Sequence, residues 1–198
     1  MKKAIIGNGG FAREVFSYLS AYEKTFTYFF VEEPYVNLLQ NVRCIDEIDF
    51  DEYEVIVAIA DPSIRKRIVE SLPNNTRFFN VIHQSCVITS YDVSIGYGCV
   101  IAPGTVITTN VKIGNHAQIN YLNSIGHDVY IGDYFTSAPC VSISGNCVIG
   151  DLVYFGSNSS VKQKTSICDD VIIGMNCCVV KDIEEPGTYV GIPSKKIK

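Results

Sequence analysis

Two different spacings of apolar residues divide this chain near residue 82. Before that point, short apolar runs alternate with stretches in which apolar residues recur every three or four positions. From about residue 85 the helical spacing is absent, and an apolar residue returns at every sixth position. We therefore expect a small α/β unit first and a repetitive architecture after it.

The first part predicts a βαβαβ unit with a parallel sheet. Strands are expected over residues 4–6, 27–31, 55–60 and 77–82, and a helix over 11–20. The run at 55–60 is apolar throughout, which is typical of a parallel strand covered on both faces. The unit corresponds to half of a doubly wound, Rossmann-like nucleotide-binding fold.

A second helix is predicted after residue 60. Asp61 serves as its N-cap, and Pro62 occupies the first helical position. Ile64, Ile68 and Leu72 follow at helical spacing, so we expect them on the buried face.

The first strand runs into a glycine-rich turn, Gly7-Asn8-Gly9-Gly10, directly before a helix. Many strand-to-helix turns need glycine, so the motif alone is weak. In a βαβ unit, however, the backbone N–H groups of such a turn and the positive end of the helix suit a pyrophosphate.

The second part repeats every six residues without insertion or deletion. From Ile95 to Val179, fourteen of the fifteen positions in this series are apolar, where composition alone would give about seven; Ser137 is the exception. Glycine follows at seven of them: 96, 114, 126, 132, 150, 156 and 174. Each hexad predicts one short strand with its apolar side chain inward, and a corner at which Gly or Asn adopts positive φ.

Three hexads close one triangular coil of eighteen residues. Fifteen hexads therefore predict a parallel β-helix of about five coils, roughly 24 Å tall at the usual strand spacing of about 4.8 Å. The period predicts the prism but does not determine whether its coils are left-handed or right-handed.

Composition excludes several classes of protein. The net charge of −5 and the pI of about 5.2 do not suit a nucleic-acid backbone. No run approaches the ~18 apolar residues of a membrane span, and the apolar run near Met1 is too short for a signal peptide, so we expect a cytoplasmic protein. The eight cysteines include no C-x-x-C pair, and we expect them to be reduced, small apolar fillers.

Four sequence features resemble one family over essentially residues 2–198. They are the opening segment 6–15, Ile119-Asn120 followed by His127-Asp128, the closing segment 190–195, and the Ile-Gly hexads. Together they resemble the hexapeptide-repeat acyltransferases, and within these the bacterial nucleotide-sugar N-acetyltransferases of the bacillosamine and sialic-acid type.

This resemblance implies a left-handed β-helix and an acetyl-CoA-dependent enzyme. The acetyl group would pass to the amino group, expected at C4, of a nucleotide-linked amino-deoxysugar used for surface glycans or glycoconjugates. Residues 1–82 would bind the nucleotide sugar, and residues 83–198 would bind acetyl-CoA and carry the catalytic groups. The family also implies a homotrimer with active sites between subunits, and no metal.

The resemblance assigns roles to individual residues. His127 would be the general base and Asp128 would orient its ring, which suits a reaction that must remove a proton from the attacking amine. Asn120 would lie near the sugar. The backbone N–H of Gly145, one coil above His127, would donate to the developing oxyanion.

The resemblance also implies which residues contact coenzyme A and the nucleotide. Gly156 and Gly174 would give a bare strip of backbone for the pantetheine arm, and Gly191-Ile192-Pro193 would flank the adenine. The turn at residues 7–10 would hold the nucleotide of the sugar substrate. Glu32 would contact its ribose or base.

Two residues depart from the family pattern. Relatives often carry Asp where this chain has Glu32, which leaves UDP, dTDP and GDP open as the nucleotide. Some relatives carry a second histidine where this chain has Thr136, which affects hydrogen bonding to the acceptor rather than the base.

Three other functions compete with this hypothesis. A sugar O-acetyltransferase would use the same His127-Asp128 pair on a hydroxyl. A zinc enzyme of the β-helix carbonic anhydrase kind needs three histidines on one metal, and His83, His116 and His127 are irregularly spaced. A non-catalytic scaffold would need none of them. We expect a structural role for His116 and assign none to His83.

Overall fold

The computed structural model describes residues 1–35 and 42–198. Its helices are α1 (Gly10–Tyr18), α2 (Ala21–Lys24) and α3 (Pro62–Ser71), with 3-10 turns at Glu33–Tyr35 and Ile45–Glu47. The first sheet consists of β1 (Lys2–Ile6), β2 (Thr27–Val31), β3 (Val42–Cys44), β4 (Tyr53–Val57) and β5 (Arg77–Phe78). Its order is β3-β2-β1-β4-β5 and all pairs are parallel, as predicted for half of a doubly wound fold.

Alternate residues of this sheet enter two separate cores. Ile5 and Ile56 face α1, and they share a core with Val100 from the second part of the chain. Ile6 and Val57 point the other way and pack with Ile68 of α3. The period of two along each strand explains why both faces are covered.

Helix α3 begins as predicted, but the side chains on its buried face are not all the ones that were predicted. The Asp61 carboxylate accepts a hydrogen bond from the Ile64 backbone N–H at 2.9 Å, and Pro62 lies in the first turn. Ile64, expected in the core, is 44% exposed, whereas Arg65 is completely buried. The cause lies outside the helix, because Arg65 is held by the second part of the chain.

The second part is a triangular prism with three parallel faces. The first face holds β6 (Val81–Ile82), β9 (Val100–Ile101), β12 (Gln118–Ile119), β15 (Thr136–Ser137), β18 (Tyr154–Phe155) and β21 (Val171–Ile173), extended by β23 (Gly187–Val190) and β24 (Lys195–Lys196). The second holds β7 (Val87–Ile88), β10 (Val106–Ile107), β13 (Ser124–Ile125), β16 (Ser142–Ile143), β19 (Ser160–Val161) and β22 (Cys178–Val179). The third holds β8 (Ser94–Ile95), β11 (Lys112–Ile113), β14 (Tyr130–Ile131), β17 (Val148–Ile149) and β20 (Ser166–Ile167).

The strands form five coils of three, followed by a sixth coil whose third side is a single bridge between Ile167 and Ile183. The prism starts earlier than the strict period does. The expected strand over 77–82 is wrong: β5 pairs with β4, whereas β6 pairs with β9 of the prism. Asn80 marks the change, since its side chain donates to Gly96 O at 2.8 Å and accepts from Cys99 N at 2.9 Å.

The corner glycines have a different cause from the one we expected. Positive φ occurs three residues after each position of the series from Ile95 to Ile173, and twelve non-glycine residues adopt it: Asn110, His116, Leu122, Asp128, Tyr134, Cys140, Asn146, Leu152, Asn158, Lys164, Asp170 and Asn176. The glycine that follows the aliphatic serves close stacking instead. A Cβ at Gly132 would lie 2.2 Å from Asp151 Oδ1 in the next coil.

The interior of the prism follows the predicted series. Its aliphatic positions from Ile101 to Val179 are buried. The exception, Ser137, is small where the tilted rings of Phe135 and Phe155 pack with their centroids 5.7 Å apart. Within the described residues all eight cysteines are unpaired, and no helix is long and apolar enough to cross a membrane.

Candidate active site

His127 and Asp128 form a hydrogen-bonded pair at a corner of the prism. They lie between β13 and β14, where the second and third faces meet. His127 Nδ1 is 2.7 Å from Asp128 Oδ2, and the two side chains are 58% and 44% exposed. Because a carboxylate can only accept, Nδ1 carries the hydrogen and Nε2 of the neutral ring is left as an acceptor.

Asn110 holds the other oxygen of Asp128, a contact that was not predicted from the sequence. Its Nδ2 donates to Asp128 Oδ1 at 2.6 Å from one coil below. The hydrogen bonds from Asn110 and His127 lower the pKa of the Asp128 carboxyl. Asp128 therefore stays ionised beside the imidazole and can stabilise a positive charge on it.

Gly145 lies directly against the free side of the His127 ring. A Cβ at this position would be 2.7 Å from His127 Nε2, so any side chain would cover the acceptor nitrogen. Within residues 1–35 and 42–198, the Gly145 N–H has no hydrogen-bond acceptor. The structure thus brings a basic nitrogen and a free backbone donor together, as the eighteen-residue coil predicts.

The other predicted prism residues lie on a different edge of the same chain. Asn120, Gly156 and Gly174 follow strands of the first face, where it meets the second face. Gly156 is buried, and a Cβ at Gly174 would lie 2.8 Å from Val190 Cγ1. Both glycines serve close packing, and their contact with coenzyme A stays a prediction.

The C-terminal segment covers the last coil beside Gly174. Gly191 accepts a hydrogen bond from Cys178 N at 3.0 Å through its carbonyl, in the turn that joins β23 to β24. Ile192 is 77% exposed and Pro193 follows it. Their predicted contact with adenine stays a prediction.

A cluster of lysines extends the edge that carries His127. Lys162 and Lys164 flank residue 163, two coils above His127, and Lys181 lies one coil further on. With Asp182 they line an open cavity of about 430 Å³. The stacking of coils brings Lys181 beside Lys162 and Lys164, and none of the three lysines was predicted from the sequence as a site residue.

The glycine turn of the first part lines a second cavity, of about 270 Å³. Gly7 has φ +119°, and a Cβ there would lie 2.9 Å from Ala58 O, so glycine is required. Asn8 and Gly9 line the same cavity, and Gly10 begins α1. Glu32, predicted to contact ribose or base, lines it too, and Arg67 of α3 holds both of its carboxylate oxygens.

The first part of the chain packs on the first face of the prism. Gln118 Nε2 donates to Val57 O at 2.7 Å, and the Thr136 hydroxyl donates to Ala60 O at 2.9 Å. His127 lies on the edge opposite this face, where the second and third faces meet. Within one chain, therefore, the glycine-turn cavity and the His127 pair are on opposite sides of the prism.

His116 is buried in an aromatic cluster, which fits the structural role we expected. Its ring stacks on Tyr134 at 5.2 Å and meets Phe78 and Tyr97 edge-on. Burial lowers its pKa to about 4, so the ring is neutral at pH 7. In the described part of the chain, no three His, Cys, Asp or Glu side chains are grouped as metal ligands.

Comparison with known proteins finds one family model and several similar proteins. Residues 2–72 match the family model of the PglD N-terminal domain. The GDP-perosamine N-acetyltransferase of Escherichia coli O157:H7 is 38% identical over 108 residues, which make up 54% of this chain and 48% of that protein. The chain thus spans about half the length of this relative.

Two solved structures match the whole chain. PerB from Caulobacter crescentus, in complex with CoA and GDP-perosamine, has a TM-score of 0.90 and 26% identity, and the match covers 100% of this chain and 98% of that one. WeeI from Acinetobacter baumannii AYE has a TM-score of 0.87 and 29% identity, covering 99% of each chain. These structural neighbours are acetyltransferases of the hexapeptide-repeat family. The prism of this family is a left-handed parallel β-helix, so the predicted hand is confirmed.

Proposed function

We propose that this chain is an acetyl-CoA-dependent N-acetyltransferase, which acetylates the C4 amino group of a nucleotide-linked amino-deoxysugar for surface glycan biosynthesis. The observation that carries the proposal is the His127–Asp128 pair, whose free Nε2 faces Gly145. The relative named GDP-perosamine N-acetyltransferase, and PerB solved with CoA and GDP-perosamine, support the choice of a nucleotide amino sugar.

The pair supplies what amide formation requires. The amine nitrogen attacks the thioester carbonyl, forming a C–N bond while the carbonyl oxygen becomes an oxyanion. The N–H of Gly145 donates to that oxyanion, and His127 Nε2 takes the proton that the nitrogen loses. The C–S bond then breaks, and the imidazolium returns the proton to the leaving thiolate, giving the amide and free CoA. Asp128 stabilises the imidazolium between these steps.

The two parts of the chain would share the binding. In this proposal, residues 1–82 hold the nucleotide between the glycine turn and Glu32. Residues 83–198 hold acetyl-CoA and the catalytic pair. Lys162, Lys164 and Lys181 suit the phosphates of CoA, because they lie on the same edge as His127 and can pair with anionic oxygens.

A homotrimer would complete the site. Within one chain, His127 and the glycine-turn cavity lie on opposite sides of the prism, and Asn120 with Gly174 lies on another edge. A neighbouring copy that places its histidine edge against these groups would bring amine, thioester and base together. Closed three-fold symmetry gives every chain the same environment.

Measuring the release of the free CoA thiol tests whether the acceptor is an amino group or a hydroxyl group. The protein is incubated with acetyl-CoA and GDP-, UDP- or dTDP-linked 4-amino-4-deoxysugars, each beside its 4-hydroxy counterpart. We expect stoichiometric CoA release only with an amino sugar, and a product whose mass rises by one acetyl group. Turnover restricted to hydroxyl acceptors would replace this proposal by the O-acetyltransferase.

A further inference from the structure

A chain of hydrogen bonds runs along the corner of the prism below the His127–Asp128 pair. Asp92, Asn110 and Asp128 follow one another at the eighteen-residue spacing of the coils, so they stack in one column. The Asn110 backbone N–H donates to Asp92 Oδ1 at 2.9 Å, and its side-chain Nδ2 donates to Asp128 Oδ1 at 2.6 Å. Asn110 therefore links the carboxylate that holds the histidine to a fixed point one coil below.

Asp128 is held by the coil below at both its backbone and its side chain. Its N–H donates to Thr109 O at 3.1 Å, and its two carboxylate oxygens contact Asn110 Nδ2 and His127 Nδ1. The Asp128 side chain is 44% exposed, so without Asn110 water would compete for Oδ1. The carboxylate would then turn about its Cβ–Cγ bond, a torsion with broad minima, and Oδ2 would leave its alignment with Nδ1.

The fold alone does not explain why the residue at this corner is an asparagine. Asn110 has φ 51°, a conformation that asparagine tolerates well. However, Leu122, Tyr134 and Cys140 adopt φ between 57° and 61° at equivalent corners of the prism. A corner of this kind therefore accepts other side chains, and the hydrogen bond to Asp128 is what distinguishes the amide of Asn110.

A neutral donor suits this position better than a charged one. The hydrogen bond from Asn110 is the largest cause of the lowered pKa of the Asp128 carboxyl, followed by the hydrogen bond from His127. Because the amide carries no net charge, the negative charge of Asp128 stays available to the imidazolium that forms during proton transfer. A lysine here would stabilise the carboxylate but repel the imidazolium.

We infer that Asn110 is a positioning residue for catalysis, which holds Asp128 in the orientation that keeps the hydrogen on His127 Nδ1 and leaves Nε2 free toward Gly145. The inference rests on the proposed acetyltransferase function and adds a residue to its mechanism. Asn110 acts through Asp128 rather than on the substrate. Asp92 orients Asn110 in turn through the backbone N–H.

A double-mutant cycle between residues 110 and 128 tests this directly. In Asn110→Gly we expect kcat to fall roughly 10-fold, the scale of a lost hydrogen bond to a charged group, with KM for acetyl-CoA unchanged. Glycine adopts positive φ freely, so the backbone is not strained. In the Asp128→Gly background the same substitution should change kcat by less than about 2-fold, because the carboxylate that it positions is gone.

Asp170→Gly is the matched control for the loss of a corner side chain. Asp170 has φ 56°, close to that of Asn110, but it lies on the edge where the third and first faces meet. This edge is separate from the one that carries His127. The variant should keep wild-type kcat.

The pH dependence of Asn110→Asp gives a second readout. The charged groups around Asp128 are His127 beside it, Asp92 two coils below and Lys164 two coils above. Two carboxyl groups at hydrogen-bond distance share one proton, and that proton can donate to Asp128 as the amide does. As the pH rises, the proton is lost and repulsion turns Asp128 away. We expect the kcat/KM of the variant, relative to wild type, to be highest near pH 5 and to fall roughly 10-fold by pH 8.

Three results would overturn the inference. If Asn110→Gly keeps wild-type kcat, or lowers it equally with and without the Asp128 carboxylate, Asn110 does not act through Asp128, and the acetyltransferase proposal stands. A relative kcat/KM of Asn110→Asp that does not change with pH would exclude the hydrogen bond between the two side chains from the mechanism. Wild-type turnover in His127→Ala would remove the base itself, so the inference would fail together with that part of the proposed function.

Discussion

Arg65 Nη2 lies 2.9 Å from Thr136 Oγ1, which joins helix α3 to the first face of the prism. The buried guanidinium also donates to five backbone carbonyls, two in its own part of the chain and three in the prism: Ile59, Ala60, His116, Tyr134 and Phe135. Thr136, noted in the sequence as a departure from the family histidine, therefore has a structural function here.

Replacing Arg65 by Met should destabilise the protein strongly. The substitution leaves several buried carbonyl groups without donors, and each unsatisfied group costs about 1–3 kcal/mol. We expect a loss of about 3 kcal/mol or more in the free energy of unfolding, measured by urea titration. Lys66→Met, one residue further on the exposed side, should change it little. Equal stability of the two variants would refute the role of Arg65.

Acid should destabilise the protein through His116. Its folded pKa of about 4 lies below the unfolded value near 6.5, so between these pH values the unfolded chain binds more protons. Stability is fully present above pH 6.5 and falls as the pH drops toward 4, by up to about 3 kcal/mol from this group. His116→Asn should be less stable than wild type at pH 7, and the gap should shrink by pH 4.5. A gap that stays constant or widens would contradict this assignment.

A methyl group at residue 145 should impair catalysis without unfolding the prism. In Gly145→Ala the new Cβ would lie within 2.7 Å of His127 Nε2, so the ring must move. Displacing a base by about 1 Å can cost about 100-fold in rate, and we expect a fall in kcat of that order. Ser144→Ala, next to it, should keep wild-type kcat. Normal turnover in Gly145→Ala would mean that the free face of the ring is not used.

The lysine cluster should govern binding of acetyl-CoA. In Lys162→Ala/Lys164→Ala we expect KM for acetyl-CoA to rise about tenfold at low salt with kcat unchanged, and the difference to shrink at high ionic strength. Lys112→Ala, an exposed lysine on β11 of the third face, is the control. A change in kcat alone would place the cluster elsewhere in the mechanism.

Periodicity explains what could be predicted from the sequence. The period of six gave the coils, and the eighteen-residue coil placed Gly145 over His127. The same rule could have found Asn110, which is eighteen residues before Asp128, and the stacking of Lys181 over residue 163. The period did not reveal why glycine follows seven positions of the series, because that depends on the distance between coils.

Contacts between the two parts of the chain could not be predicted in this way. Arg65 follows Ile64 on an amphipathic helix, and a charged side chain there is typical of the solvent-facing side. Its burial depends on the docking of α3 against Thr136, about 70 residues away in the chain. The pairing of Glu32 with Arg67 likewise depends on how α3 packs beside β2. Both contacts join residues that are far apart in the chain, so neither produces a periodic signal in the sequence.

Turnover of His127→Ala is the most direct test of the proposed mechanism. With acetyl-CoA and a nucleotide-linked 4-amino sugar that the wild type acetylates, we expect kcat to fall about 100-fold or more, the usual cost of losing a general base. The unfolding temperature should not change, because the ring is largely exposed. His83→Ala should retain activity. Wild-type turnover in a folded His127→Ala protein would contradict the assignment of His127 as the base.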